Sequence, residues 1–217
     1  MDGGSEVLSA AWLSLWVSAA AVALAAIPAI ALAAAAGLAP PRVRATVAVA
    51  ARVGMAFPTV LIGLLVYGLV SRRGPLGSWG LIFTPQAIVI GDVLLAFPMI
   101  VALVEASIAS LDRRFRETAA ALRLSRTRTA WLALLACREA VTLALLAAFA
   151  RCVTELGIAL MVGGNIEGKT RTLTTAIALE TSKGDFDRAV SLGWVLVGLA
   201  LALNLAVALL RRRVVRT

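Results

Sequence analysis

With 217 residues, 61% of them hydrophobic, and a mean hydropathy of +0.94, the chain lies well outside the composition of an average soluble domain, which is about 45–50% apolar. Lys and Arg number 21 against 12 Asp and Glu, a net charge of +9. The arginines gather at the ends of apolar runs rather than on one face or in one tail, which fits membrane orientation and argues against a nucleic-acid partner. With no histidine, histidine-based catalysis and most zinc chemistry are excluded, so no catalytic and no metal-binding residue is expected.

In chain order, Met1 to Glu6 is short and acidic, and the apolar run after it lacks the basic n-region of a secretory signal, so it is expected to be retained. A first helix is predicted over 7–38, with Pro28 tolerated inside it and Trp12 and Trp16 near the outer interface. Pro40 and Pro41 stop it. A second helix is predicted over 46–70, interrupted by Pro58, and residues 71–80 form a glycine and proline turn. The third, 82–110, contains Pro85 and Pro98 and carries Asp92 and Glu105 at membrane depth. A fourth is predicted over 132–155 and a fifth over 189–210, where Asn204 offers a helix-to-helix hydrogen bond. About five spans of roughly 20 apolar residues fill the chain, so a single all-α transmembrane domain over 1–217 is expected. Cys137 and Cys152 lie on one predicted helix, about 22 Å apart at 1.5 Å per residue, too far for a disulfide.

Five spans place the first turn, the 112–136 loop and the C-terminus on one side. That side carries 13 basic residues: Arg42, Arg44 and Arg52; Arg113, Arg114, Arg116, Arg123, Arg126 and Arg128; and Arg211, Arg212, Arg213 and Arg216. The other side carries 6, namely Arg72, Arg73, Lys169, Arg171, Lys183 and Arg188. Basic loops stay in the cytoplasm, so the N-terminus is expected outside and the C-terminus inside a cell inner membrane crossed several times.

Two stretches carry more than membrane anchoring. Residues 117–136 are rich in arginine and small apolar residues, too polar to span a bilayer. If Glu117 starts a helix, Ala120, Ala121 and Leu124 form a small apolar stripe that a partner protein can approach closely. The second stretch is the connection 156–188. It contains Gly163 to Thr170, which spells G-x-x-x-x-G-K-T. A phosphate-binding loop of that pattern works between a buried parallel strand and a helix in an α/β domain. About thirty residues between two membrane helices leave no room for such a domain, so nucleotide binding is not expected here. Gly157, Gly163, Gly164 and Gly168 permit a non-helical turn beside a cavity, while Thr170, Thr172, Thr174 and Thr175 supply hydroxyls and Arg171 a guanidinium suited to an oxyanion. Arg151 and Glu155, four apart on the fourth helix, are spaced to pair on a face turned to the bundle interior, as a structural pair or as part of a pathway.

The 117–136 stretch resembles the cytoplasmic coupling loop of ABC-transporter permeases, whose pattern is Glu-Ala-Ala, three residues, Gly, nine residues, then Ile-x-Leu-Pro. Glu117, Thr118 and Ala119 match its start and Leu135 its ending; Arg123 stands in the place of Gly, Ala133 of Ile and Ala136 of Pro. Residues 150–187 are similar to molybdate and tungstate permeases, and Gly74 to Gly77, Leu81 to Pro85 and Thr174 to Thr181 look most like the tungstate branch. The resemblance implies a type I ABC-importer permease, two copies of which form a pore above two ATP-binding subunits, with an extracytoplasmic binding protein delivering a tetrahedral oxyanion: tungstate first, with molybdate and sulfate as relatives. ATP and Mg would then be held by the partner ATPase, and no cofactor by this chain. Glu117, Thr118, Ala119, Ala120, Arg123 and Arg126 become the ATPase-coupling residues. Arg151, Glu155, Gly163, Gly164, Asn165, Thr170, Arg171, Thr172, Thr174 and Thr175 become a substrate pathway or gate. The main rival is an ion-coupled secondary transporter using Asp92, Glu105 and Glu155. It is expected to show an inverted repeat with paired broken helices, and no such repeat is visible.

Overall fold

The computed structural model describes the backbone of residues 3–214 and the side chains of residues 4–202 and 205. The side chains of Asn204, Arg211, Arg212, Arg213 and Arg216 lie outside the described residues. The chain runs through α1 (Gly3–Gly37), α2 (Pro41–Met55), α3 (Thr59–Val70), a 3-10 turn (Gly77–Trp79), α4 (Pro85–Ala109), α5 (Arg113–Ala121), α6 (Arg126–Ala136), α7 (Arg138–Val153), a π turn (Ala159–Gly163), α8 (Leu173–Lys183) and α9 (Phe186–Val214). No strand occurs among the described residues.

Small side chains decide the tightest packing. Ala21, Ala25, Ala29 and Ala33, each one helical turn from the next, are fully buried where α1 lies against α4. On α4 the facing residues are large: Ile100, Val104 and Ile108 are fully buried. α4 is the centre of the bundle, since α1, α2, α3, α7 and the π turn all pack on it. A second, smaller cluster joins Ala10 of α1, Leu173 and Ala176 of α8, and Leu192 of α9.

α1 and α4 are each long and apolar enough to cross a membrane. Prolines do not break them: α1 continues through Pro28 and α4 through Pro98. The predicted second helix is not continuous. It divides into α2 and α3, bent by 91°, because Pro58 cannot donate to the helical ladder and bars Phe57 from the α region. The predicted fourth helix also divides, into α6 and α7 bent by 74° at Cys137, where no proline or glycine gives warning. Counting each bent pair as one span gives up to four candidate spans among the described residues. The predicted fifth span lies within α9.

The 156–188 connection is more ordered than a loop, holding both the π turn and α8. It meets the 71–84 turn and the start of α1: Phe83 N donates to the Val162 carbonyl at 3.0 Å, and Leu173 N donates to Ser14 Oγ at 2.9 Å. At the far end of α1, the 38–41 turn, α5 and α6 come together. With 35 residues, α1 is about 52 Å long at 1.5 Å per residue, so these two assemblies sit at opposite ends of the molecule.

Candidate functional site

At the α5–α6 end, Asp112 caps α5 by accepting from Arg114 N at 3.2 Å, so the helix starts four residues before the predicted Glu117. That shifts the apolar stripe. Ala119 is the buried position, Ala120 and Ala121 are exposed, and Leu124 lies beyond the helix. Glu117 and Thr118 face outward, Glu117 paired with Arg113 at 2.7 Å. α5 closes with two bonds of a left-handed helix cap, Leu124 N to the Ala119 carbonyl and Arg123 N to the Ala120 carbonyl, both 3.0 Å. The residue in the left-handed conformation is Arg123, with φ 48°. This is the position where the resembled pattern carries Gly, and the backbone supplies the reason.

Ser125 then caps α6, its Oγ accepting from Arg128 N at 3.3 Å, and Arg126 follows as the exposed first residue. Ala119, Ala120, Leu124 and Arg126 line a cleft of about 990 Å³, walled opposite by Ala31, Ala34, Ala35 and Leu38 of the α1 end. Two of its lining residues are arginines and none is acidic. The sequence-level coupling set therefore divides: Ala119, Ala120 and Arg126 border the cleft, while Glu117, Thr118 and Arg123 do not line it.

At the opposite end, the second set of predicted residues forms one connected network. Arg151 Nη1 donates to Glu155 Oε2 at 2.7 Å, so the predicted pair exists. Glu155 does more than pair: its buried Oε1 accepts from Gly157 N at 2.8 Å and Ile158 N at 3.3 Å, anchoring the chain just before the π turn. Its backbone carbonyl accepts from Thr174 Oγ1 at 2.8 Å. Thr172 and Thr175 cap α8 reciprocally, Thr172 Oγ1 accepting from Thr175 N at 3.3 Å and Thr175 Oγ1 from Thr172 N at 2.9 Å. Thr170 Oγ1 donates to the Gly163 carbonyl at 2.6 Å and accepts from Ile166 N at 2.9 Å. All four threonine hydroxyls are thus engaged within the chain.

Arg171 is engaged too. Its guanidinium donates to Glu6 of α1, to Asn165 Oδ1 at 3.3 Å and to Glu167 Oε2 at 3.3 Å. Glu6 also receives Arg188 Nη2 at 2.7 Å, so one carboxylate joins α1, the 165–171 turn and α9. Gly164 and Asn165 are both left-handed, at φ 71° and 52°, and a Cβ on Gly164 would stand 2.7 Å from Cδ1 of the Phe83 ring. Phe83 itself has φ 58°, a strained state for an aromatic residue. The stretch that spells a phosphate-binding loop follows a π turn instead of a strand. It folds back on itself through Thr170, and Lys169 is exposed.

Sequence reasoning did not assign the partners that hold this network: Ser14, Glu6, Arg188 and Phe83. Only the charged pair Glu6 and Arg188 left a sequence signal, as the last charges before the apolar runs of α1 and α9. Asp92 was flagged as an ionisable group within a span and is buried at 2% exposure. It borders a void of about 10 Å³ with Ser14, Ser18, Glu155 and Thr172, and its Oδ1 has no hydrogen-bond partner among the described residues.

Residues 26–217 match the family described as the binding-protein-dependent transport system inner membrane component. The chain is 39% identical over 158 residues to the tungstate uptake system permease protein TupB of Campylobacter jejuni, covering 73% of this chain and 66% of that protein. It is 38% identical over 206 residues to a probable anion ABC transporter permease protein of Haloferax volcanii, covering 93% and 89% of the two chains. With the TupB of Peptoclostridium acidaminophilum it shares 33% identity over 199 residues, 92% of this chain and 87% of that one. A helical bundle with an outlying two-helix platform, matched over this length, makes the chain a member of the binding-protein-dependent inner membrane components, the non-enzymatic permease subunits of ABC importers.

Proposed function

We propose that this chain is the permease subunit of an importer for a tetrahedral oxyanion, with tungstate the first substrate and molybdate and sulfate its chemical relatives. The observation that carries this reading is the identity of 39% and 33% to two proteins named as tungstate uptake permeases. Family membership brings an ATP-binding subunit, which hydrolyses the nucleotide, and a substrate-binding protein. In this reading ATP and Mg stay on that subunit, and two copies of one permease domain over 1–217 sit in membrane lipid around the pore. The N-terminus lies outside and the α5–α6 platform in the cytoplasm, where Glu117, Thr118, Ala119, Ala120, Arg123 and Arg126 meet the ATPase.

Closure of the ATPases would be passed through α5 and α6 to α1, α4 and α7, opening the pore outward and then inward. The 150–188 network would form the extracytoplasmic wall of the pathway. Arg171 would meet the anion only after releasing Glu6, so Arg171→Ala should weaken uptake and also loosen the N-terminus of α1. An ion-coupled carrier is the weaker reading, because Glu155 is committed to Arg151 and two backbone amides.

The decisive experiment reconstitutes the permease with its ATP-binding subunit and binding protein in vesicles and follows labelled tungstate, with molybdate and sulfate as competitors. ATP-dependent accumulation is expected. Accumulation driven by an ion gradient without the ATP-binding subunit would overturn the proposal.

A further inference from the structure

α5 makes no extensive packing with any other helix among the described residues, although the coupling reading requires it to move its neighbours. Its hold on the body of the protein is narrow. Phe115 packs partly buried against the main core, and Ala119 is buried. Among the described residues the polar hold is a single long-range bond: Arg116 Nη2 donates to the carbonyl of Gly37, 79 positions away, at 3.2 Å, with the side chain half-buried. Gly37 is the last residue of α1, so its carbonyl is one of those the helix leaves without an internal partner, at the negative end of the helix dipole. A guanidinium is well suited to that acceptor.

Gly37 is also where α1 touches the end of α4. A Cβ there would come within 2.7 Å of Ile108 Cγ2 and 2.9 Å of Ile108 Cβ, and Ile108 is fully buried. One residue without a side chain therefore receives α5 on its carbonyl and α4 on its α-carbon. Among the described residues, α1 and α4 are the two helices that each satisfy the length and composition of a span unaided. We infer that Arg116 is a positioning residue for transport, the tether through which displacement of α5 is delivered to the joined ends of α1 and α4. The inference rests on the coupling role proposed above for the α5–α6 platform, and it adds a residue outside that set.

The test uses the full complex in vesicles, measuring tungstate uptake and ATP turnover in the same preparation for wild type, Arg116→Ala and Arg116→Lys. Loss of a bond from a charged donor supports an expected fall of about tenfold in uptake per ATP for Arg116→Ala, with turnover within about twofold of wild type. Arg116→Lys, which still presents a cation to the carbonyl, should recover part of that ratio. Uptake per ATP unchanged in Arg116→Ala overturns the tether, as does a proportional fall of uptake and turnover, which marks a merely structural role. If Arg116→Ala does not assemble, Arg116→Lys decides: a lowered ratio supports the tether and a normal one overturns it. Absence of ATP-driven uptake in wild type would instead sink the importer reading, which keeps the two failures apart.

Discussion

At the scale of single residues, Arg123 shows a site condition read from pattern and explained by backbone. It holds a left-handed cap at φ 48°, a conformation that costs an L-residue roughly 1–2 kcal/mol. Glycine removes that cost but loses about 0.5–1 kcal/mol to chain entropy. Arg123→Gly should therefore be neutral to about 1 kcal/mol more stable, and Arg123→Val, which adds β-branching at the same φ, clearly less stable; thermal unfolding of the purified permease decides the order. Asp92 poses the opposite problem, a buried carboxyl oxygen with no hydrogen-bond partner among the described residues. Asp92→Asn keeps the shape and cannot ionise, so the variant should be about as stable as wild type in thermal unfolding of the purified permease. An Asp92→Asn protein that fails to fold would mean that the carboxylate has an essential partner in the assembled complex. The threonines carry the lesson about legibility. Hydroxyls at 170, 172, 174 and 175 were legible as a polar cluster, but not as caps and braces. Which partner a hydroxyl takes depends on where α8 begins, and the sequence does not say that it begins at Leu173.

At the scale of elements, helices were legible and their breaks were not. Pro58 was visible as an interruption, yet an interruption does not tell a kink from a 91° turn, since Pro28 and Pro98 sit inside continuous helices. Cys137 gave no warning at all: its backbone leaves the helical region, at φ −101° and ψ 16°, with no proline or glycine to mark the place. The stripe that a start at Glu117 would give does not form for a plain reason: the capping signal is Asp112, ahead of the arginines that draw attention. That four-residue shift changes what a substitution means. Ala119 is buried against the protein's own body, so Ala119→Trp should cost roughly 1–3 kcal/mol or more in overpacking and lower the amount of permease in the membrane. Ala120 is exposed beside the cleft, so Ala120→Trp should leave insertion normal and interfere with the ATP-binding subunit, read as reduced co-purification or reduced uptake per ATP. Equal membrane levels for the two variants would show that the burial difference does not govern α5.

At the scale of the whole molecule, the proposed sidedness rests on geometry and charge together. The start of α1, the 71–84 turn and the 156–188 segment are tied to one another by Leu173–Ser14, Phe83–Val162 and the Glu6 ion pairs. The end of α1, the 38–41 turn, α5 and α6 gather around the cleft at the other end; from Glu6 to Gly37 α1 rises about 46 Å at 1.5 Å per residue, farther than the roughly 30 Å of a bilayer's hydrocarbon core. Each bent pair begins at the cleft end and finishes at the other, α2–α3 from Pro41 to Val70 and α6–α7 from Arg126 to Val153, so a bent pair runs the length of the bundle as a single candidate span. The contacts bring the 38–41 turn together with α5 and α6, and the 71–84 turn together with the 156–188 segment, as alternating spans require, even though the two bent pairs are not single helices. In the reading proposed above, charge chooses the cytoplasmic end: Arg42, Arg44, Arg52, Arg113, Arg114, Arg116, Arg123, Arg126 and Arg128 belong to the segments of the cleft end, against Arg72, Arg73, Lys169, Arg171, Lys183 and Arg188 in those of the other. A reporter active only in the cytoplasm should accordingly work when inserted between Arg113 and Arg128 or fused after Arg216, and should be silent at Lys183, which is exposed at the end of α8. A cytoplasmic signal at Lys183 would place the Glu6–Arg171–Arg188 network beside the ATP-binding subunit and the α5–α6 platform outside, out of reach of any nucleotide-driven partner. The coupling role of α5 and the Arg116 tether would then fail together.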